Sequence, residues 1–566
     1  MKSNSFAWYL LLLVTVFLAF VNADTTDLEI VAYTDGRGAS QLGDDRFVSF
    51  TLDVGILHDL NLQNTHLRAL TRTLAPANLR VGGTSFNNLV YLVDEQEDAS
   101  LCTPERDAKH LCLNMKRWTE IVEFCTATNL RLVFDLNILL GRNASCTTFN
   151  CWDSSNIRRF LQYTAQQWPL FPNAFEIGNE LEHFLDPLET ARIAGEIRTM
   201  IYEFWPHNNA TTRRPLLVGP AANVRPDWMR RFAAHASTVI DVITYHLYPA
   251  YGGTHNLEHT IPTPAWLDFS HQIMHTMHRA ATVTTTTSIA VWIGESAAAW
   301  EGGRNGITNG FVSAFWYLDT LGQAASMGHA AFCRSSLVGN QYGLLEQKFQ
   351  LYKPNPDFWV ALLFRRLVIG RLGTTHRRPI MMDALQFTPG KVDFDPDVRT
   401  YLACTPPPPP PLSPFLDDTQ YYAPGAMTLI WINTAKSWKT IRLVNETGFH
   451  SSDAGHSPPP PFYGLPRWDF VLTAGPAPAS SSNDSDCLDP LCSRLIRLNG
   501  QVLQLSKQNT NNNIKKGVED DVLPPLDGVA ASDERLQVPP QSMGFSVFTG
   551  AQATACLVPS TDTASS

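Results

Sequence analysis

Short apolar runs alternate with amphipathic segments between residues 47 and 372. Eight runs are mostly continuous in apolar character, as strands buried on both faces are, and they lie at 47–52, 78–81, 130–137, 174–178, 216–219, 242–246, 289–294 and 330–333. Helical periodicity follows at 57–73, 118–128, 157–168, 188–204 and 310–325. This alternation predicts a (β/α)8 barrel over residues 47–372. A doubly wound open sheet is the alternative, but no glycine-rich dinucleotide turn follows the first strand.

After residue 373 the pattern changes to short alternating runs, at 400–403, 427–432, 441–444, 469–472 and 546–548. Such runs between turn-rich stretches predict an antiparallel β-sandwich over residues 373–566. The proline runs 406–411 and 458–461 cannot lie in central strands and predict extended loops, and 480–485 and 509–513 are polar insertions. Segment 24–46 precedes the barrel, and its apolar run at 28–31 is a candidate strand of the sandwich.

The first 23 residues have the pattern of a secretory signal peptide. Lys2 precedes an apolar run at 8–21, and Val21 and Ala23 put small residues at the −3 and −1 positions of a cleavage site. A signal anchor is the rival, although the run is short for a membrane span. Four glycosylation sequons begin at Asn143, Asn209, Asn445 and Asn483. We therefore expect a protein that is secreted or delivered to a lysosome or vacuole, with no transmembrane segment after cleavage; peripheral membrane association stays open.

Ten cysteines fit an oxidising compartment. Cys146 with Cys151, and Cys487 with Cys492, would close short loops, whereas bridging Cys404 to Cys556 would close a long one. Cys333 lies in an apolar run and is expected to be a buried free thiol. Spacing alone does not fix these pairings.

The charge balance excludes some partners. The 566 residues carry 43 Lys and Arg against 53 Asp and Glu, a net charge of −10. Nucleic acid or another polyanion is therefore not expected as the main partner.

Two glutamates end predicted strands on opposite sides of the barrel. Glu180 follows the fourth strand and Glu295 ends the seventh. Catalytic groups of such barrels lie at the carboxyl ends of the strands, and paired carboxylates there are what glycoside hydrolysis requires. Either glutamate alone could instead cap the next helix. Glu176, which lies four positions before Glu180, is interpreted as a carboxylate in the barrel interior.

Polar side chains also end most other predicted strands, where burial is costly unless they bind something. They are Asp53, Arg80, Thr84, Asp135, Asn137, His246 and Tyr248. Trp300, Trp316 and Tyr342 could offer aromatic faces to a sugar, although core residues would look the same. The partner expected from these groups is a carbohydrate.

Competing chemistries find little support. His271, His275 and His278 share a helix face, but no general-base glutamate lies between them as in zinc protease motifs. No G-x-S-x-G elbow, P-loop or C-x-x-C pair is present. We expect no metal and no organic cofactor.

Six motifs together resemble glycoside hydrolase family 79, which holds heparanases, their plant-type relatives and exo-acting β-glucuronidases. They are Leu79-Arg-Val-Gly-Gly-Thr84, Phe175-Glu-Ile-Gly-Asn-Glu180, Trp292-Ile-Gly-Glu-Ser296, Ala314-Phe-Trp-Tyr-Leu-Asp319-Thr-Leu-Gly322, Gln341-Tyr-Gly-Leu-Leu345 and Pro354-Asn-Pro-Asp-Phe-Trp359. The resemblance runs in order from residue 47 to 370 and weakens through the sandwich, where Cys404 and Cys556 fall at the family's disulfide positions.

The resemblance implies a retaining double displacement without a cofactor. Glu180 would be the acid/base and Glu295 the nucleophile; Asn179 would hold the sugar 2-hydroxyl, and Arg80 and Tyr248 would orient the nucleophile. Glu180 would then need a raised pKa to donate its proton. A glucuronate carboxylate would be met by backbone N–H groups of Trp300, Glu301 and Gly302 and by Tyr342.

Three departures from animal heparanase set the expected function. Animal heparanase excises a long linker after its second strand, whereas here only a modest insertion follows that strand, so we expect an uncut single chain. We also expect a monomer. Animal heparanase has basic clusters around its cleft, and in this chain only Arg225, Arg230 and Arg231 lie near one corresponding place. Glu301 stands where animal heparanase has glycine. We expect an exo-β-glucuronidase; an endo-acting heparanase and an inactive glycan-binding homologue are the alternatives.

Overall fold

The computed structural model describes residues 28–557, apart from 36–38, 44, 95–97, 110, 143–151, 209–210, 284–288, 349–350, 371–378, 383, 388–394, 407–421, 446–464, 478–486 and 508–520. Eight parallel strands close into a barrel in chain order. They are β1 (Val48–Asp53), β2 (Ala77–Gly82), β3 (Leu130–Leu136), β4 (Ala174–Ile177), β5 (Leu216–Ala222), β6 (Val242–Leu247), β7 (Ala290–Ser296) and β8 (Ala331–Arg334). The predicted barrel is confirmed, and each predicted run overlaps its strand.

Helices cover the outside of the barrel, at Val54–Asp59, Thr65–Thr73, Met115–Thr128, Ser155–Gln167, Pro187–Phe204, Pro226–Ala236, Pro264–Thr282, Phe311–Ser326 and Pro356–Phe364. The single helix predicted at 57–73 is wrong, since two helices occupy that stretch. Asn64 caps the second of them, and its Oδ1 accepts a hydrogen bond from the Leu67 N–H at 2.8 Å. Shorter helical turns lie at Thr84–Asn88, Ala99–Leu101, Pro104–Ala108, Leu257–Thr260, Arg365–Ile369, Pro490–Cys492 and Thr554–Cys556.

A two-sheet sandwich packs beside the barrel. The order of its larger, antiparallel sheet is Ser40–Gln41, Ile380–Met382, Val398–Cys404, Met427–Asn433, Ser542–Phe548, Arg467–Ala474, Ile496–Leu498 and Gln501–Val502, with Val529–Ala531 on Arg467–Ala474. The smaller sheet has the order Ala384–Phe387, Leu28–Ala32, Lys439–Asn445 and Leu536–Val538. Leu28–Ala32 therefore lies in the sandwich although it precedes the barrel in the chain. Short pairs also join Val90–Leu92 to Cys112–Asn114, Leu345–Lys348 to Leu351–Pro354, and Ser506–Lys507 to Asp521–Val522.

The helix Phe311–Ser326 joins the two units. Tyr401 of the sandwich donates a hydrogen bond to Asp319 Oδ1 at 2.7 Å, and a Cβ on Gly322 would lie 2.3 Å from the Tyr401 ring. Burial raises the pKa of Asp319 to about 6. The aspartate and the glycine of this sequence motif thus serve contact between barrel and sandwich.

Three disulfides lie in the described part of the chain: Cys404–Cys556, Cys487–Cys492 and Cys102–Cys112. Cys125 and Cys333 are buried free thiols. The proposed Cys146–Cys151 pair lies outside the described residues.

The signal peptide and three of the sequons, at Asn143, Asn209 and Asn483, also lie outside the described residues. Asn445 ends the strand Lys439–Asn445. Among the described helices, none has the length and apolar character needed to cross a bilayer.

We predict that the long-range disulfide contributes more stability than the short one. Cys404 and Cys556 are separated by 152 positions, and Cys487 and Cys492 by 5. Loop-closure entropy then gives about 5 kcal/mol for the first bond and about 2 kcal/mol for the second. Denaturant unfolding of the double alanine variants Cys404→Ala/Cys556→Ala and Cys487→Ala/Cys492→Ala measures both losses. Equal losses of unfolding free energy would contradict the prediction.

Candidate active site

Arg80 of β2 is the buried centre of the site. Its Nε donates to Glu176 Oε2 at 2.5 Å, one terminal nitrogen donates to Glu295 Oε2 at 2.8 Å, and the other donates to Asn179 Oδ1 at 2.7 Å. Burial lowers the pKa of Arg80, but the charges of Glu176 and Glu295 outweigh it and raise the pKa. One cation therefore fixes side chains from the ends of β4 and β7.

The two glycines after Arg80 leave room for charged groups. A Cβ on Gly82 would lie 2.8 Å from the Arg80 guanidinium carbon. Gly83 has a φ of 116°, and a Cβ there would lie 2.3 Å from a carboxylate oxygen of Asp53. The Arg-Val-Gly-Gly-Thr motif thus brings backbone close to both side chains and places Thr84 at the cavity wall.

Three carboxylates end β4 and β7, but only two reach the cavity. The Glu176 side chain is 1% exposed, against 28% for Glu180 and 18% for Glu295. Glu176 also accepts a hydrogen bond from Thr244 Oγ1 at 2.8 Å. Its interpretation as a barrel-interior group agrees with these contacts.

Asp135 and Asn137, which end β3, are buried as well. Burial and the charge of Glu176 raise the pKa of Asp135 well above its usual value. Asn137 donates to the Leu89 carbonyl at 2.8 Å and so holds a loop. Neither side chain lines the cavity.

The turn after β4 holds Glu180 in a left-handed conformation, with a φ of 54°. The Glu180 N–H donates to the Ala221 carbonyl at 2.9 Å, and Asn87 donates to the Asn179 carbonyl at 2.8 Å. His246 Nδ1, on β6, lies 2.7 Å from Glu180 Oε1. The carboxylate is thereby directed toward the ends of β5 and β6.

The expectation of a raised pKa at Glu180 is wrong. Burial raises the pKa of Glu180, but the hydrogen bond and charge of His246 outweigh it and hold the pKa below its usual value. Burial lowers the pKa of His246, but Glu295 and the bond to Glu180 outweigh it and raise the pKa. We infer that the pair shares one proton, which rests on His246.

Glu295 is held by two groups, Tyr248 and Arg80, and Ser335 in turn contacts Tyr248. Tyr248 donates to its Oε1 at 2.5 Å, Arg80 contacts its Oε2, and Ser335 Oγ lies 2.8 Å from the Tyr248 oxygen. Burial and the charge of Glu295 raise the pKa of Tyr248, so the phenol keeps its proton.

The two partly exposed carboxylates, Glu180 and Glu295, lie on either side of His246. His246 Nδ1 lies 2.7 Å from Glu180 Oε1 and 3.7 Å from Glu295 Oε2. The sum of these distances limits the separation of these two oxygens to about 6.4 Å. Two carboxylates are thus close enough to act on one sugar.

A cavity of about 730 Å³ opens above these groups. Its lining includes ten of the predicted site residues: Asp53, Thr84, Glu180, His246, Tyr248, Glu295, Trp300, Glu301, Gly302 and Tyr342. Arg80 and Asn179 lie buried beneath it. The prediction that the Trp316 ring could contact a sugar is wrong, because this side chain is fully buried and lies in a helix whose residues are buried on every face.

The loop after β7 turns through three left-handed residues, Glu301, Gly302 and Gly303, with φ values of 60°, 74° and 77°. The expectation that the Trp300 N–H meets a substrate carboxylate is wrong, because this N–H donates to the Ala250 carbonyl at 2.8 Å. Within the described part of the chain, no acceptor bonds the N–H groups of Glu301 or Gly302. The Glu301 side chain is exposed. Glu301 thus adopts a backbone conformation that glycine favours, and the N–H groups of Glu301 and Gly302 are two unbonded donors at the cavity wall.

Sequence reasoning missed several residues of the site. Asn87 holds the backbone of Asn179, Asn223 hydrogen-bonds to Glu180, and Ser335 contacts Tyr248. His183 was missed as well; it lines the cavity and lies 3.0 Å from Arg225, the one residue of the three arginines expected near the cleft that does line it. Asn223 and Ser335 each come directly after a barrel strand, which was the one usable signal.

Among the described residues, one group of three potential metal ligands comes together, Cys102, Asp107 and Cys112. The two sulfurs form a disulfide and so offer no thiolate. None of the three lines the cavity.

Comparison with known proteins identifies the barrel. Residues 49–322 match the family model described as glycosyl hydrolase family 79, N-terminal domain. A match to heparanase-like protein 3 of Arabidopsis thaliana is 28% identical and covers 63% of this chain and 71% of that protein. Baicalin-β-D-glucuronidase of Scutellaria baicalensis is 30% identical, over 55% of this chain and 62% of that enzyme.

Two further matches extend over nearly the whole chain. Heparanase of Gallus gallus is 26% identical over 97% of this chain and 99% of that protein. The structure of a 4-O-α-L-rhamnosyl-β-D-glucuronidase from Fusarium oxysporum superposes with a TM-score of 0.56 at 14% identity, covering 92% of this chain and all of that one, which shows a shared fold. Residues 49–322 therefore belong to glycosyl hydrolase family 79, as its N-terminal domain, and the protein is a glycoside hydrolase.

Proposed function

We propose that the protein is a retaining exo-β-glucuronidase that acts on glucuronate-bearing glycans or glucuronides. The observation that carries the proposal is the different setting of two facing carboxylates: Glu295 is fixed by Arg80 and Tyr248, as a nucleophile must be, whereas Glu180 bonds to the titratable His246, as an acid/base can. Two relatives, from Scutellaria and Gallus, carry glucuronidase and heparanase in their names.

The reaction runs in two displacements. Glu295 attacks the anomeric carbon and forms a glycosyl ester, while Glu180 gives its proton to the departing glycosidic oxygen. Water then attacks the same carbon and passes a proton to Glu180, and Glu295 leaves as carboxylate. Two inversions keep the β configuration. Arg80 and Tyr248 hold Glu295 in its attacking orientation.

His246 supplies the proton that Glu180 donates. Because the resting pair keeps its one proton on His246, that proton moves along the 2.7 Å hydrogen bond to Glu180 before the leaving oxygen takes it. The loss of the Glu295 charge on esterification removes the largest contribution that raises the pKa of His246. His246 then competes less for the proton when Glu180 acts as base.

A uronic acid is favoured by the free donors of the cavity wall. The N–H groups of Glu301 and Gly302 and the Tyr342 hydroxyl can meet a carboxylate without a net positive pocket. Burial and the charge of Glu295 raise the pKa of Tyr342, so its phenol stays a donor.

Exo action on a weakly charged substrate is favoured over cleavage of a sulfated polymer. Of the described residues lining the cavity, Arg225 alone carries a permanent positive charge. With a net charge of −10, a highly sulfated chain would meet repulsion. We propose that the enzyme works outside the cell or in a lysosome or vacuole, as the pattern of residues 1–23 and the sequons indicate.

We predict distinct effects for the two glutamates. Glu295→Gln should abolish turnover, because an amide cannot form the glycosyl ester. Glu180→Ala should slow phenyl β-glucuronide far more than 2,4-dinitrophenyl β-glucuronide, whose leaving group needs little protonation. Proton NMR should show the β anomer as the first-formed sugar. The α anomer would remove Glu295 as nucleophile.

We predict that His246 sets the alkaline limb of the pH profile. Activity needs the shared proton, so kcat/KM for phenyl β-glucuronide should fall as pH rises through the raised pKa of His246, above its ordinary value of about 6.5. In His246→Gln the proton must stay on Glu180, whose ordinary pKa is about 4.3, so the limb should move to lower pH. His235→Gln, on the exposed face of a barrel helix, is the control. An unshifted limb in His246→Gln would show that the histidine does not hold the proton.

We predict that Tyr342 reads the substrate carboxylate. Tyr342→Phe should cost about 1–3 kcal/mol in kcat/KM for an aryl β-glucuronide and little for the matching β-glucoside. Steady-state kinetics on the two sugars gives the comparison. Equal losses would leave the preference for glucuronate without this contact.

A further inference from the structure

Three hydroxyl groups bond to one another in a row that ends on Glu295. The phenol oxygen of Tyr248, directly after β6, lies 2.5 Å from Glu295 Oε1 and 2.8 Å from Ser335 Oγ. Ser335 comes directly after β8, and Thr51 Oγ1, on β1, lies 3.3 Å from Ser335 Oγ. We call Thr51, Ser335 and Tyr248 the hydroxyl row. It connects three places around the barrel to one carboxylate on β7.

The direction of these hydrogen bonds follows from the number of hydrogens. A phenol has one hydrogen, and an ionised carboxylate can only accept. Because Tyr248 donates to Glu295, the bond between Tyr248 and Ser335 must take its hydrogen from the serine. The pKa of Tyr248 agrees, since burial and the charge of Glu295 raise it whereas the Ser335 hydrogen bond lowers it. Thr51 in turn donates to Ser335, so each hydrogen of the hydroxyl row points toward Glu295.

The first two members of the hydroxyl row are fixed and lie away from the substrate. The Ser335 N–H donates to the Ser296 carbonyl at 2.8 Å, and the Leu337 N–H donates to the Thr51 carbonyl at 2.8 Å. Ser335 is 1% exposed and Thr51 5% exposed, and neither lines the cavity. These two hydroxyls can therefore act on the reaction only through Tyr248.

A donor to Glu295 acts differently on the two displacements. It binds the full charge of the carboxylate more strongly than the reduced charge of a partly formed ester, and only binding that strengthens in the transition state speeds a step. In the first displacement the charge falls as Glu295 attacks, so this attraction does not lower the barrier. In the second, water adds to the anomeric carbon and passes a proton to Glu180. The bond from that carbon to Glu295 breaks, and its electron pair returns to the carboxylate that the donor stabilises.

Ser335 strengthens and directs this donor. Hydrogen bonds in series polarise one another, so a phenol that accepts from Ser335 donates more strongly to Glu295. The serine hydrogen also occupies the side of the phenol oxygen away from Glu295, which keeps the phenol hydrogen on the carboxylate. The phenol keeps its own hydrogen throughout, and no proton moves along the hydroxyl row.

We propose that Ser335, supported by Thr51, is a positioning residue that aligns the Tyr248 phenol and so speeds the departure of Glu295 in the second displacement. The proposal rests on the double displacement proposed above and assigns a residue to its second half. Ser335 itself contacts neither the sugar nor Glu295.

Steady-state kinetics on 2,4-dinitrophenyl β-glucuronide separates the two displacements. This leaving group makes the first displacement fast, so kcat reports the second while kcat/KM reports the first. Ser335→Ala should lower kcat about 3- to 10-fold, the range of one lost hydrogen bond, and lower KM by the same factor. Because Arg80 still orients Glu295, kcat/KM should stay at the wild-type value. A fall in kcat/KM with an unchanged KM would overturn the proposal.

Four further variants confine the effect to the hydroxyl row. Thr51→Val, which also carries the test if Ser335→Ala does not fold, should show the same pattern with a smaller factor. Ser335→Thr restores a hydroxyl and should recover part of kcat. In Tyr248→Phe, which has no phenol, Ser335→Ala should add no further loss, and a fully additive loss would overturn the proposal. Ser336→Ala is the matched control, because this serine is 2% exposed and donates instead to the Val338 carbonyl at 2.9 Å.

Reactivation of trapped enzyme measures the second displacement directly. After labelling with 2-deoxy-2-fluoro-β-glucuronosyl fluoride and removal of the excess, Ser335→Ala and Thr51→Val should regain activity several-fold more slowly than wild type and Ser336→Ala. Equal rates in all four proteins would overturn the proposal while the double displacement stands. If none of them forms a label on Glu295, the double displacement itself fails, and the proposal fails with it.

Discussion

One buried guanidinium is the constraint on which the site depends. Burying a cation costs several kcal/mol unless it is paired, and Arg80 is paired with Glu176 and Glu295 while it also binds Asn179. Each of these partners comes from a different turn or strand end. Arg80 neutralises the charge of the two glutamates and satisfies the Asn179 oxygen, and these three groups in turn satisfy the buried guanidinium. Loss of the cation would leave the buried Glu176 and the partly buried Glu295 without the counter-charge that both now contact.

Arg80 also contributes to the different environments of the three carboxylates Glu176, Glu180 and Glu295. Glu176 is enclosed by Arg80 and Thr244 and stays out of reach, whereas Glu295 keeps one oxygen toward Tyr248 and the cavity. Glu180 has no direct bond to Arg80 and is governed instead by His246. Two glutamates of the same chemistry therefore differ in environment, as a nucleophile and an acid/base must.

The barrel could be predicted because its signal is local. Continuous apolar runs fix strands that are buried on both faces, and polar residues at their ends fall on one rim whatever the loops do. The helix boundary at Asn64 was missed, because a cap within a periodic stretch does not interrupt the apolar pattern. Trp316 was misplaced for a similar reason, since a tryptophan in a fully buried helix and one facing a sugar have the same sequence context.

The pKa and the orientation of the Glu180 side chain could not be predicted from the sequence. Its pKa depends on His246, 66 positions away and on another strand, and the direction of that side chain is set by backbone bonds to Ala221 and from Asn87. The free N–H groups after β7 likewise follow from left-handed residues that include a glutamate, which no propensity favours. Such contacts come from tertiary placement rather than from any local pattern.

The central claim is that Glu295 attacks the sugar and forms a covalent ester. A 2-deoxy-2-fluoro-β-glucuronosyl fluoride slows the second displacement and should accumulate that ester. Mass spectrometry of the digested protein should place one fluoroglucuronosyl group on the peptide that contains Glu295, and the label should be absent from Glu295→Gln. A label on Glu180, or complete hydrolysis of the reagent with inversion and no labelled peptide, would contradict the account.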